Sequence, residues 1–254
     1  FIGAEDRSFR FGDGIFDTAI VHNGRIYDLS AHLARLTAGL EFFRIPLDLS
    51  PVASICETLV KKNDVQTGYV RIIISRGENA PGAVGYLPGD AKPLLVVQTT
   101  RRKLPEFGAI SLTVSHHRAS LRIPCKTNSA ALYTLSLMQA RDEGCGNALI
   151  LDAQGRICET ASGNIFWVKG GALHTPAADL PFVPGTISRT VHEFSPLPIR
   201  EGHYTLDDLA GAEEIFMSNV GGIITRIERI AGVDFTPKGD EITTKIREKI
   251  LQRS

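Results

Sequence analysis

The sequence predicts an α+β protein of two domains. Its 254 residues are more than one small core usually organises. Runs with helical periodicity are interspersed with short apolar strands, and there is no internal repeat or low-complexity segment. A charged stretch with one proline and one glycine, residues 101–108, separates an earlier set of elements from a later one. These features place a smaller domain at 1–102, a link at 103–107 and a larger domain at 108–254.

In the first part, Phe11-Gly12-Asp13-Gly14 is a glycine-flanked turn leading into an apolar strand that ends near His22. It lacks the lysine and spacing of a P-loop, so the glycines are read as bringing backbone close to something else. Asn23-Gly24 has the residues of a hairpin turn, with a second strand over 25–29. Ser30 is expected to cap a helix that buries Leu33, Leu36, Leu40 and Phe43, with Arg35 beside that stripe. Ser50 as cap and Pro51 as first residue begin the next helix, which faces Val52, Ile55 and Leu59 inward. A strand over 68–76 puts Tyr69, Arg71 and Ile73 on one face. An arginine there calls for a partner, and a substrate carboxylate is one candidate. The stretch 77–93, rich in glycine and proline, reads as a mobile cover, and 94–99 as another strand.

Beyond the link, strands are expected at 110–114, 147–151, 156–160, 164–168 and 214–218. A last helix packs through Ile242, Ile246 and Ile250. Glu159 is a carboxylate in an otherwise apolar strand, costly to bury unless paired. Residues 183–189 lead into a helix whose small N-terminal residues bare backbone N–H groups, a place for an anion. Asn219-Val220-Gly221-Gly222 is a sharp turn whose glycines let backbone approach a ligand. At the centre stands Lys126, after an extended run over 120–124 and before a helix over 129–143. Asn128 or Ser129 caps that helix, and Leu132, Leu135 and Met138 form its apolar stripe. A lysine at such a junction can point into a cleft, lose its proton more easily and form a Schiff base. Taken alone, a surface lysine is the commoner reading.

Composition narrows the classes. Basic and acidic residues balance at 28 each, which argues against nucleic acid as partner. No apolar run is long enough to span a bilayer. The four cysteines form no CxxC pair and the seven histidines no ligand spacing, so no metal site is expected. Scattered free thiols fit a reducing, cytoplasmic compartment.

Four motifs in order make the chain resemble the fold-type IV pyridoxal-phosphate enzymes. They are Phe11-Gly12-Asp13-Gly14 with Phe16, His32-Leu33-Ala34-Arg35-Leu36, Lys126 before its helix, and Glu159 with Asn164-Ile165-Phe166. That family includes branched-chain and D-amino-acid aminotransferases and aminodeoxychorismate lyases. The resemblance implies pyridoxal 5'-phosphate in a cleft between the domains of a homodimer. It implies that Lys126 forms the Schiff base and moves the proton, and that Glu159 pairs with the ring nitrogen. Arg35 would neutralise the phosphate, helped by the N–H groups of Ile187 and Ser188 and by the Asn219-Val220 turn. Arg71 would hold the substrate carboxylate, with Tyr69 and Phe16 shaping the pocket. The implied reaction passes an amino group from a branched-chain or D-amino acid to a 2-oxo acid. The rivals are release of pyruvate from aminodeoxychorismate and a non-catalytic binding protein; Lys126 and Glu159 together speak against the latter. Two departures bear on substrate choice. Gly185-Thr186-Ile187-Ser188-Arg189 is one residue longer than the family's Gly-Ile-Thr-Arg, and Gly82, Ala83 and Val84 stand where D-amino-acid enzymes carry an Arg-x-His carboxylate trap.

Overall fold

The structure, a computed structural model, describes residues 2–79, 85–103 and 106–253. In chain order it holds α1 (Arg7–Phe11), β1 (Gly14–His22), β2 (Arg25–Ile26), α2 (Leu29–Phe43), α3 (Val52–Lys62), β3 (Thr67–Ser75) and β4 (Leu94–Arg101). There follow β5 (Ala109–Ala119), β6 (Lys126–Thr127), α4 (Ala131–Asp142), β7 (Asn147–Asp152), β8 (Ile157–Thr160) and β9 (Asn164–Lys169). The chain ends with β10 (Ala172–Pro176), α5 (Thr186–Phe194), β11 (Ile199–Gly202), β12 (Glu214–Asn219), β13 (Ile223–Ile230) and α6 (Glu241–Arg253).

Two compact units result. One is Phe1–Leu104 with Ile123–Ala130, the other Pro105–Arg122 with Ala131–Ser254. This differs from an unbroken second domain over 108–254. The segment carrying Lys126 returns to the first unit because β6 pairs with β1, Phe16 opposite Lys126 and Ile15 opposite Thr127.

The first unit is a sheet in the order β2-β1-β3-β4, with β6 also on β1. Asn23 and Gly24 both take positive φ, 50° and 71°, as a two-residue hairpin turn requires. The second strand ends early, at Ile26, since Asp28 turns left-handed (φ 46°) and stands at the N-cap of α2. Ser30 is not the cap; its hydroxyl donates to the Asp28 carboxylate at 3.3 Å. Helix α2 buries His32, Arg35, Leu36, Gly39 and Leu40, while Leu33 and Phe43 are only partly covered. Pro51 likewise lies one residue outside α3, and the Ser50 hydroxyl donates to Asp48 at 2.6 Å. The inward row of α3 is Val52, Cys56 and Val60, spaced i, i+4, i+8, leaving Ile55 at the surface. Each such aliphatic side chain contributes roughly 1.5–3 kcal/mol by leaving water.

The second unit is an eight-stranded mixed sheet, β11-β10-β9-β12-β13-β5-β7-β8, parallel where β5 meets β13 and β7 and where β10 meets β11. Trp167, Phe166 and Phe216 are among its largest wholly buried side chains. Helix α4 packs through Leu132, which is half-buried against the core, and through small residues: Ser136 and Ala140 are buried, and Ser136 and Ser115 share a hydroxyl hydrogen bond of 2.7 Å. Leu135 and Met138 are exposed. Helix α6 buries Thr243, Ile246 and Ile250, with Ile242 half-buried.

The run 120–124 forms no strand. What fixes the segment after it is close approach to glycine. A Cβ at Gly14 would stand 2.4 Å from the Ile74 carbonyl oxygen and 2.5 Å from Asn128 Nδ2, and one at Gly39 would stand 2.7 Å from Cys125 Sγ. Gly14→Ala should therefore lower the unfolding free energy by about 1–3 kcal/mol. Urea denaturation reads this directly, and an unchanged midpoint would contradict the contact.

Candidate active site

In the first unit, three of the expected residues meet around one ring. The Lys126 ammonium lies 5.9 Å from the Phe16 ring centroid and the Arg71 guanidinium 4.6 Å from it. Strand register explains the meeting. Phe16 is opposite Lys126 on β6, while Thr18, two residues on along β1, is opposite Arg71 on β3. Tyr69, Arg71 and Ile73 do share a face, and it is the one opposite the core, which takes Val70, Ile72 and Ile74. Arg71 is thus exposed, with Tyr69 half-buried two residues away. Asn128 and Ser129 precede α4, which begins at Ala131, and both bond within the first unit. The Asn128 N–H donates to Gly14 O at 2.9 Å, its Nδ2 donates to Ser8 Oγ at 2.6 Å, and the Ser129 hydroxyl reaches the Gly12 carbonyl at 3.2 Å. Lys126 is therefore anchored on both sides, with Cys125 buried before it. Burial raises the Cys125 thiol to about 11, so that neighbour stays a neutral, packed group.

Arg35 is buried in the same unit. Its Nε and one terminal nitrogen reach the two oxygens of Asp17 at 2.8 and 2.7 Å, and His32 Nδ1 meets the same carboxylate at 2.8 Å. Burial pushes the Asp17 carboxyl up, but hydrogen bonds from His32 and Arg35 outweigh it and hold it at about 2. Asp17 and His32 were not singled out from the sequence for this role. The signal was present for Asp17, a carboxylate at an inward strand position, the same argument that picked Glu159.

The second unit carries the other candidates. Glu159 lies on β8 at 3 % exposure. The Tyr133 hydroxyl of α4 donates to its Oε1 at 2.8 Å and the Val183 N–H to its Oε2 at 3.3 Å. Ile187 and Ser188 lie in the first turn of α5, whose N-cap, Gly185, offers no side-chain hydrogen bond. Asn164 on β9 ties the helix start to the strands: its Nδ2 donates to Val183 O at 2.8 Å, and it is paired in register with Ser218 on β12. Asn219 ends β12, and its Oδ1 accepts the Gly222 N–H at 2.6 Å to close the turn through Val220. Gly82, Ala83 and Val84 lie outside the described residues.

Two hydroxyls here are buried without a hydrogen-bond partner among the described residues, Thr186 Oγ1 at the first position of α5 and Ser218 Oγ near the end of β12. Orphan donors beside an uncapped helix start suit an anion rich in acceptor oxygens. The donor set thus fits a phosphate, and Glu159 is a carboxylate of the kind that pairs with a protonated ring nitrogen.

The sequence matches the family of class IV amino-transferases over residues 14–230, and the chain belongs to that family. It is 27% identical to D-alanine aminotransferase of Listeria monocytogenes serotype 1/2a (strain 10403S), over 99% of this chain and 90% of that one. Its fold is similar to that of branched-chain aminotransferase from Thermoproteus uzoniensis (TM-score 0.90, 21% identity, 99% of this chain and 89% of that one). It is also similar to that of 4-amino-4-deoxychorismate lyase from Pseudomonas aeruginosa (TM-score 0.85, 24% identity, 98% and 95%). The mixed two-unit α+β architecture is thus the fold-type IV one. Class IV aminotransferases use pyridoxal phosphate, and this chain is a transaminase dependent on it. No helix among the described residues is long and apolar enough to cross a membrane.

The Asp17 cluster makes a testable statement about pH. A carboxyl held down in the folded state contributes stability above its unfolded value, 3.8, and loses it as pH falls toward about 2. Near neutral pH, Asp17→Asn should cost about 3 kcal/mol, because the buried Arg35 loses its ion pair with Asp17. In urea titrations the gap between wild type and variant should close across that acidic window. A gap that is constant with pH would contradict the assignment.

Proposed function

We propose that the protein is a cytoplasmic, homodimeric aminotransferase that moves an amino group from a branched-chain or D-amino acid to a 2-oxo acid. The observation that carries the substrate class is the pair of cations on the Phe16 ring. Arg71 is an exposed guanidinium suited to an α-carboxylate, and Lys126 is an amine held a short way off on the same aromatic surface. Amino acids and 2-oxo acids alike carry a carboxylate one bond from the reacting carbon, so the two cations match what both share. Tyr69, on the same strand face as Arg71, and Phe16 line the remainder.

When bound, pyridoxal phosphate supplies an aldehyde that condenses with amines and a ring that draws electrons from the substrate α-carbon. Lys126 is the group that holds the cofactor at rest and carries the proton to and from that carbon. Its β6 pairing and the glycine contacts around it keep the amine from wandering, which favours a productive geometry. Glu159 holds the ring nitrogen in its protonated form. Arg35 balances phosphate charge, with the Asp17 bonds fixing its orientation. Ile187 and Ser188 offer N–H groups at the start of α5, and the Asn219-Val220 turn closes the other side. The smaller domain at 1–102 and the larger at 108–254 follow the family's division of labour, with the Lys126 segment added to the smaller. The exposed Leu135 and Met138 on α4 offer apolar surface to a second copy. The free cysteines suit a reducing compartment.

The protein loaded with pyridoxal phosphate should show an absorption band at the violet end of the visible. Loss of that band with L-leucine alone selects the branched-chain donor, and with D-alanine alone the D-amino-acid donor. Pyruvate released from aminodeoxychorismate with no amino acceptor present would replace the transaminase reading by the lyase. Lys126→Ala should lower turnover by at least ~10³-fold, since the same amine serves binding and proton transfer; full activity in that variant would overturn the proposal.

A further inference from the structure

We infer that Tyr133 is a positioning residue for Glu159: its hydroxyl, donating to Oε1, aims the carboxylate and keeps it anionic toward the cofactor ring. The inference rests on the proposed pairing of Glu159 with the ring nitrogen.

The geometry separates the two ends of Tyr133. Its ring packs into an apolar cluster with Ala140, Ala148, Ile150, Cys158 and Leu180, which holds it without help from the hydroxyl. The hydroxyl alone reaches out of that cluster, to Glu159 at 2.8 Å. A second donor to the carboxylate, the Val183 N–H, is longer at 3.3 Å. At 3 % exposure, solvent does little for the charge. The Tyr133 bond is therefore the stronger of these two local supports for the carboxylate anion. Tyr133 itself stays protonated: burial raises its phenol, and the Glu159 charge and hydrogen bond raise it further, so it remains a donor throughout the working range.

The chemical consequence concerns one proton. Between a ring nitrogen and a buried carboxylate, the proton can reside on either. A hydroxyl donating to the carboxylate stabilises its anionic form, which leaves the proton on nitrogen and the ring a better electron sink. Without the hydroxyl, the carboxylate competes harder for that proton and is also freer to rotate. Tyr133 stands seven residues beyond Lys126 in sequence, yet it acts through Glu159 and not on the reacting atoms.

The test is a double-variant cycle read by cofactor affinity and by the absorption spectrum of the loaded protein. Tyr133→Phe keeps the ring in its cluster and removes only the hydroxyl. It should weaken pyridoxal phosphate binding by about tenfold, the usual scale for a hydrogen bond to a charged group. Its visible band should move in the same direction as that of Glu159→Gln. Introduced together with Glu159→Gln, which removes the charge, the same substitution should add less than ~2-fold. An equal loss in both backgrounds would mean a packing role, and wild-type affinity with an unmoved band would mean none; either overturns the inference. The double variant has no buried charge to leave unsupported, so it remains measurable if the single one is destabilised. The underlying reading fails differently: Glu159→Gln would itself match wild type in affinity and spectrum, and the inference would fall with it.

Discussion

The site depends first on how closely the segment 125–129 lies on the start of β1. Three glycines make that approach possible. Gly12 takes φ 67°, and a side chain there would meet Ser129 Oγ at 2.3 Å; Gly14 and Gly39 leave room for Asn128 and Cys125. The backbone then pairs as β6, and the side chains of Asn128 and Ser129 donate to Ser8 and to the carbonyls before β1. A lysine between such anchors has its backbone fixed on both sides, so its amine searches only its own rotamers.

Buried charge is the second constraint, and the first unit meets it by pairing. Asp17 is ion-paired with Arg35 and hydrogen-bonded to His32, while Asp13 is held by Arg7 and Arg76, each at 2.7 Å. Together these tie α1, α2 and the residue after β3 to β1 and the turn before it. Glu159 accepts from the Tyr133 hydroxyl on α4 and, at 3.3 Å, from the Val183 N–H.

Much of this was legible in the sequence. The Asn23-Gly24 hairpin, the shared face of Tyr69, Arg71 and Ile73, and the start of α5 near Gly185 all follow from local chemistry. So did the role of the Gly12-Asp13-Gly14 turn, though not what it approaches, since Asn128 and Ser129 are distant in sequence. The errors share a cause. Ser30 and Ser50 have the residue type of a cap, but Asp28 and Pro51 hold those positions, and the two hydroxyls donate to Asp28 and Asp48. The inward faces of α3 and α4 were placed on the largest apolar residues, whereas close packing against strands selected Cys56, Ser136 and Ala140. Tyr133 was invisible because nothing local distinguishes a tyrosine whose ring packs from one whose hydroxyl meets a carboxylate. Asp17 was missed although it obeyed the rule used for Glu159.

The central claim is that one particular amine, fixed by the β6 pairing, is the one that carries the cofactor. Borohydride reduction of the protein loaded with pyridoxal phosphate, followed by peptide mapping by mass spectrometry, tests it without any choice of substrate. The phosphopyridoxyl group should be found on Lys126 alone, at about one per chain. Labelling spread over surface lysines, or concentrated on another one, would contradict the account.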